Sequence, residues 1–256
     1  MAGATRLLET SRPLRGARAV AALAFALALM PALRDAAAAT SGPASGEEPG
    51  AAIAAVPALL ADFKGEPASP EARRIAHWAL RSGDNAGMPY LIVDKVQARV
   101  FVFDRLGRLQ GAGPALLGLG RGDGTAQGVG TRRLAAIAPQ ERTTPAGRFV
   151  ASLGPALGGQ DILWIDYDAA LALHRIAKGT PSERRAERLQ TPTPTDNRIS
   201  YGCINVAAAF YERVVGPAFA HSSGVVYILP ETRPAQEVFG SYDVAEPATP
   251  AGADLR

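Results

Sequence analysis

The sequence predicts a mainly β fold, a sandwich or barrel, for the chain beyond residue 89. Three observations predict it. Short β-branched and aromatic runs recur with turn signals between them, among them Leu91–Val93, Val100–Phe103, Phe149–Leu153 and Ile162–Asp166. Gly224–Leu229 is a last apolar run, closed by Pro230. Helical periods are few, one ahead of these runs and one near Asn205.

From the N-terminus, Arg6, Arg12, Arg15 and Arg18 precede a small apolar run, Ala19–Met30, and Ala37-Ala38-Ala39 follows Pro31. This is the layout of a cleaved secretory signal over residues 1–39, and it implies an exported protein, periplasmic or associated with the cell envelope. The run is shorter than the roughly 20 apolar residues of a spanning helix, so none is expected in the mature chain. No cysteine lies near the cleavage site, which excludes lipid attachment there. Residues 1–39 hold five arginines, Glu9 and Asp35; without them 22 basic and 22 acidic residues remain. A balanced mature chain does not call for bulk electrostatic binding to nucleic acid.

Residues 40–57 are rich in Ala, Gly, Pro and Ser and read as a linker. A helical segment, residues 58–88, comes next. Ser69-Pro70 opens its helix as N-cap and first turn, Ile75, Trp78 and Ala79 form the inner face, and Gly83 ends it. His77 reads as a surface or boundary residue of this helix. Strands are expected over Leu91–Val93 and Val100–Phe103, then a glycine-rich loop over residues 111–130. The turn Thr143-Thr144-Pro145-Ala146-Gly147 feeds Phe149–Leu153, and Leu171-Ala172-Leu173 runs straight into His174. Residues 175–199 are charged and Pro-punctuated, a solvated loop or a flap, and residues 231–256 read as a C-terminal tail.

Cys203, the one cysteine in 256 residues, stands in Ser200-Tyr201-Gly202-Cys203-Ile204-Asn205. The period over Asn205–Val215 predicts a helix with Val206, Phe210 and Val214 on one stripe, Tyr211 and Val215 beside them, ended by Gly216-Pro217. A thiol just ahead of a helix start faces unpaired N–H groups and a positive dipole end, which favour thiolate and can hold an oxyanion. Gly202 lets backbone and substrate approach closely. The plainer reading is a small buried hydrophobe. Exported chains usually carry cysteines in pairs or not at all, so an unpaired thiol in one weighs toward catalysis. One Cys and three scattered His offer no close ligand pair for a metal.

His174 at the end of an apolar strand, then Ser200-x-Gly202-Cys203-Ile204-Asn205, resembles the L,D-transpeptidase catalytic domain family (YkuD type). Thr144-Pro145-Ala146-Gly147-Arg148-Phe149 is similar to the family's Thr-Pro-x-Gly-x-Phe turn, and Tyr90–Phe103 to its opening strand pair. The resemblance spans residues 89–230. It departs from the family at Tyr201, where the family has His, and in the 25-residue spacer between His174 and Ser200. It implies a β-sandwich with a helix beside the cysteine, and a cysteine acyltransferase acting on peptidoglycan stem peptides without a cofactor. Cys203 would be the nucleophile and His174 the base, with backbone N–H groups of Gly202 and Cys203 as the oxyanion hole. Ser200 would orient the histidine or the loop, Tyr201 and Asn205 would lie toward substrate, and Asn205 would also cap the helix. His221, in a polar turn before the last strand, is a rival base. A hydrolase on the same bonds, or a wall-binding module without catalysis, are the other classes the residues leave open.

Overall fold

The computed structural model describes residues 59–244, so the signal and linker readings lie outside the described residues, as does the end of the tail. Nine strands follow helix α1 (Pro70–Ser82): β1 (Tyr90–Asp94), β2 (Arg99–Phe103), β3 (Leu109–Gly118), β4 (Gly147–Pro155), β5 (Asp161–Asp166), β6 (Leu171–Arg175), β7 (Arg198–Ser200), β8 (Ile204–Val206) and β9 (Gly224–Ile228). A one-turn helix α2 (Arg185–Arg188) lies between β6 and β7. Between β8 and β9 run α3 (Ala208–Phe210), a π-helical stretch Tyr211–Val215 and α4 (Gly216–Phe219); α5 (Ala235–Phe239) follows β9.

Two sheets share their corner strands. The first half of β4 pairs with β9 and the second half with β5. Likewise β3 pairs with β2 over residues 109–114 and then with β8 and β7. Strands that switch sheets close a sandwich into a barrel-like shell. Leu91, Val93, Val102, Leu163, Leu173, Ile204 and Val226 fill its interior.

A second core lies outside the β1–β2–β9 face. Tyr90, Ile92, Phe101, Phe103, Val225 and Tyr227 meet Ile75, Trp78 and Ala79 of α1 there, with Phe63 and Ala235. Those three strands are therefore covered on both faces, which is why they read as continuous apolar runs rather than alternating ones. Ser69 caps α1 by accepting from the Ala72 N–H at 3.1 Å, and its hydroxyl donates to Asp94 at the end of β1 at 2.6 Å. Gly83 closes α1 in the left-handed region, φ 72°. His77 is buried rather than a boundary residue: the 59–63 segment crosses α1 there, and the Ala61 N–H donates to His77 Nδ1 at 3.1 Å.

Two further expectations are corrected. Residues 111–118 are not loop but the body of β3, the longest strand at 10 residues. Its glycines answer to packing, since a Cβ at Gly111 would lie 2.9 Å from Val214 Cγ2 and one at Gly113 would lie 3.3 Å from the Phe210 ring. Gly216-Pro217 does not stop the helix. The wide π turn immediately before Pro217 accommodates the missing N–H, and winding continues to Phe219. Tyr211, Val215 and Phe219 make the buried stripe, one position on from the expected one, while Phe210 and Val214 are half-buried over β3.

Candidate active site

Parallel strands β6 and β8 carry the site. Leu173 pairs with Ile204, and His174 with Asn205. Leu173 and Ile204 enter the barrel core, so alternation sends His174, Asn205 and the residues two positions back, Ala172 and Cys203, to the outer face. Cys203 and His174 both line one open groove of about 790 Å³, whose other walls include Ile162, Trp164 and Ala208.

His174 Nδ1 lies 2.7 Å from the Arg175 carbonyl. A carbonyl only accepts, so Nδ1 carries the hydrogen and Nε2 is the bare nitrogen. Burial pushes the imidazole below its usual pKa, and the Arg185 charge pushes the same way against the bond to Arg175. A neutral ring with one free lone pair is the resting state of a general base.

Cys203 is half-buried, and its thiol donates to the Ala170 carbonyl at 3.4 Å. Ala170 sits at φ 50°, an uncommon place for a residue with a Cβ, in the turn that joins β5 to β6. Enclosure pushes the thiol pKa up, while the Ala172 N–H works the other way. The expected helix dipole is absent from this balance. Ile204–Val206 is a strand, and the helix starts only at Ala208. The resting pair is therefore a thiol and a neutral imidazole, and ionisation needs the base.

The loop before Cys203 is tied from several sides. Ser200 Oγ accepts from the Gly202 N–H at 3.1 Å and donates to the Cys203 carbonyl at 2.6 Å. Of the two roles expected of Ser200, orienting the loop is the one its bonds serve. The Gly202 N–H is thereby spent, which removes it from the oxyanion hole expected of it. Gly202 stands at φ 133°, and a Cβ there would meet the Thr143 carbonyl oxygen at 2.8 Å, so only glycine fits.

Asn205 is 1% exposed and does not cap the helix, whose N-cap position is Ala207. Its Nδ2 donates to the Cys203 carbonyl at 3.3 Å, and its Oδ1 accepts from Arg185 Nη1 at 3.1 Å. Tyr201 lies under the Arg142 guanidinium, 4.1 Å from ring centroid to carbon, in a second, smaller depression that also reaches Cys203. His221 is exposed in the turn before β9 and lines neither depression.

Sequence reasoning passed over two residues here. Thr144 Oγ1 donates to the Gly202 carbonyl at 2.7 Å and accepts from the Gly118 N–H at 2.9 Å. Its own carbonyl accepts from the fully buried Lys95 ammonium at 3.0 Å. The Thr-Pro turn was visible as a motif, and its distance in sequence from Cys203 hid the contact. Lys95 directly follows β1, in the turn to β2, and reads like an exposed turn charge.

No family model matches the chain, and no curated protein matches it. Among solved structures, it is similar to an L,D-transpeptidase determined in complex with imipenem, at 13% identity and a TM-score of 0.32. That match covers 55% of this chain and 58% of the other, so the chain spans little more than half of that structure. It is also similar to the catalytic domain of an L,D-transpeptidase from E. faecium determined by NMR, at 15% identity and a TM-score of 0.27, covering 55% of this chain and 96% of that one.

Proposed function

We propose that this chain is an exported cysteine acyltransferase of the L,D-transpeptidase kind, acting on peptidoglycan stem peptides. The observation that carries the reading is the pair itself: one thiol and one imidazole on the same outer face of adjacent strands, in one groove, with the imidazole's free nitrogen left as an acceptor. The order of the sequence landmarks, from the opening strands through Thr144-Pro145 and His174 to Cys203, supports the substrate class.

In this mechanism the Cys203 sulfur attacks the carbonyl of the L-configured centre of the third, diaminopimelate residue. His174 Nε2 takes the thiol proton as the S–C bond forms. The oxyanion is held by the Cys203 N–H, since Gly202 has given its own to Ser200. Collapse breaks the C–N bond, the imidazolium returns the proton to the leaving D-Ala amine, and a thioester remains. An amine then attacks the thioester carbonyl and His174 takes its proton; a new C–N bond replaces the C–S bond, and the imidazolium returns the proton to the departing sulfur, regenerating the thiol. Two depressions meeting at Cys203 suit a reaction that must present a donor and then an acceptor to one sulfur. Tyr201, with the Arg142 cation on its face, would meet the substrate on the smaller side.

The test is intact-mass detection of a covalent adduct on the protein incubated with tetrapeptide muropeptides, with and without an added amine. Wild type should gain the acyl mass and release it to the amine, and Cys203→Ala should gain none. An Ala variant that still acylates, or release to water alone, overturns the assignment.

A further inference from the structure

The long spacer between His174 and Ser200 is anchored to the barrel at several points. The Ile176 N–H donates to the Val206 carbonyl at 2.8 Å near its start and Asn197 Nδ2 donates to the Ala115 carbonyl at 3.1 Å near its end, while Arg188 Nε closes the spacer on itself by donating to the Glu183 carbonyl at 2.7 Å. Leu189 is buried. So held, the segment turns Arg185, whose side chain is only 13% exposed, onto the β6–β8 pair. Its Nη1 bonds Asn205, which is the cross-strand partner of His174, and Asn205 in turn bonds the Cys203 carbonyl. Glu183 Oε2 accepts from Arg185 Nε at 2.7 Å and offsets part of the charge.

We propose that Arg185 and Glu183, supplied by the spacer, are a positioning pair whose opposed charges set the pH range in which His174 serves as the base. The kinetic arm of the test rests on the acyltransferase reading; the titration arm does not. A cation beside an imidazole disfavours its protonated form, so Arg185 keeps the ring neutral to lower pH and Glu183 tempers that. The direction agrees with the depressed pKa of His174, in which burial is the larger cause and Arg185 a contributor. The other charges near His174 stay constant across the variants tested. Arg175 on its own strand is turned to Asp161 and Glu212, and Lys178 and Glu212 border the groove.

The experiment is an NMR titration of the three imidazoles in wild type, Arg185→Gln, Arg185→Lys and Glu183→Gln, with His174→Gln assigning the signal. Arg185→Gln should raise the His174 midpoint by about half a pH unit or more, the low end for a partly offset neighbouring charge. Arg185→Lys should leave it near wild type, and Glu183→Gln should lower it. The acid limb of acylation should move with each midpoint, upward in Arg185→Gln and downward in Glu183→Gln. An unmoved midpoint in both charge-removing variants overturns the proposal. So does a shift in the same direction, since a merely structural effect would not follow the sign of the charge. Should Arg185→Gln fail to fold, Glu183→Gln and Arg185→Lys still decide it. If no muropeptide acylates the protein, the function reading fails while the titration stands.

Discussion

At the scale of single residues, the site rests on two opposed desolvation effects. Enclosure raises Cys203 and lowers His174, so each is driven toward its neutral form. The sign fixes an outcome. Alkylation of Cys203 by iodoacetamide should be slow at neutral pH and rise with a midpoint above the ordinary thiol value of about 8.5. His174→Ala should leave that midpoint in place, because the ring is already neutral there. A reactive plateau extending below pH 6 would mean a preformed thiolate–imidazolium pair and contradict a neutral resting pair. In catalysis His174→Ala should slow acylation by about 10² to 10⁴, the range for losing a positioned base. His221→Ala, in an exposed turn, should change it little.

At the scale of elements, the loop before Cys203 is held by a turn remote in sequence. Lys95 donates to Gly122, Asp123 and Thr144 with a side chain wholly out of water, while Arg198 bonds Glu231 at 2.6 Å and the Lys95 carbonyl at 2.9 Å. Thr144 passes that anchoring on to Gly202 through its hydroxyl. Thr144→Val keeps the shape and deletes the bond, leaving the buried Gly118 N–H and Gly202 carbonyl without it; acylation should fall about tenfold or more, and Thr144→Ser should restore most of it. Equal rates in Val and Ser variants would show that the hydroxyl does not hold the loop. This arrangement also shows what the sequence could convey. The cap at Ser69-Pro70 and the apolar strands are written in short windows, and each was legible there. Strand β3 was not, because Gly111 and Gly113 are small for the sake of Val214 and Phe210, about 100 residues further on. Strand β8 was not either. Its residues Asn205 and Val206 open the helix-like period that runs to Val215, and only pairing with β6 draws Ile204–Val206 out as strand.

At the scale of the whole molecule, the change of period near residue 89 marks a change of element and not of core. Strands β1, β2 and β9 present one face to the barrel interior and the other to α1 and the 59–63 segment. Phe63 meets the rings of Phe101 and Phe103 edge-on, with centroids 5.7 and 5.0 Å apart, and Trp78 meets Tyr227 at 6.1 Å. The Tyr90 hydroxyl reaches back to the Ala76 carbonyl at 3.3 Å. Removing residues 59–88 would therefore uncover Ile92, Phe101, Phe103, Val225 and Tyr227 at once, an apolar face on the strands that also form the barrel wall. Each such side chain contributes about 1.5–3 kcal/mol when buried, so several together rival the whole stability of an ordinary domain, about 5–15 kcal/mol. A chain beginning at residue 89 should not fold to a cooperative state, and one beginning at residue 53 should. Thermal unfolding followed by near-ultraviolet circular dichroism, with a hydrophobic dye as second readout, separates the two. A sharp transition without dye binding in the shorter chain would show that the barrel stands alone and that α1 is an appendage.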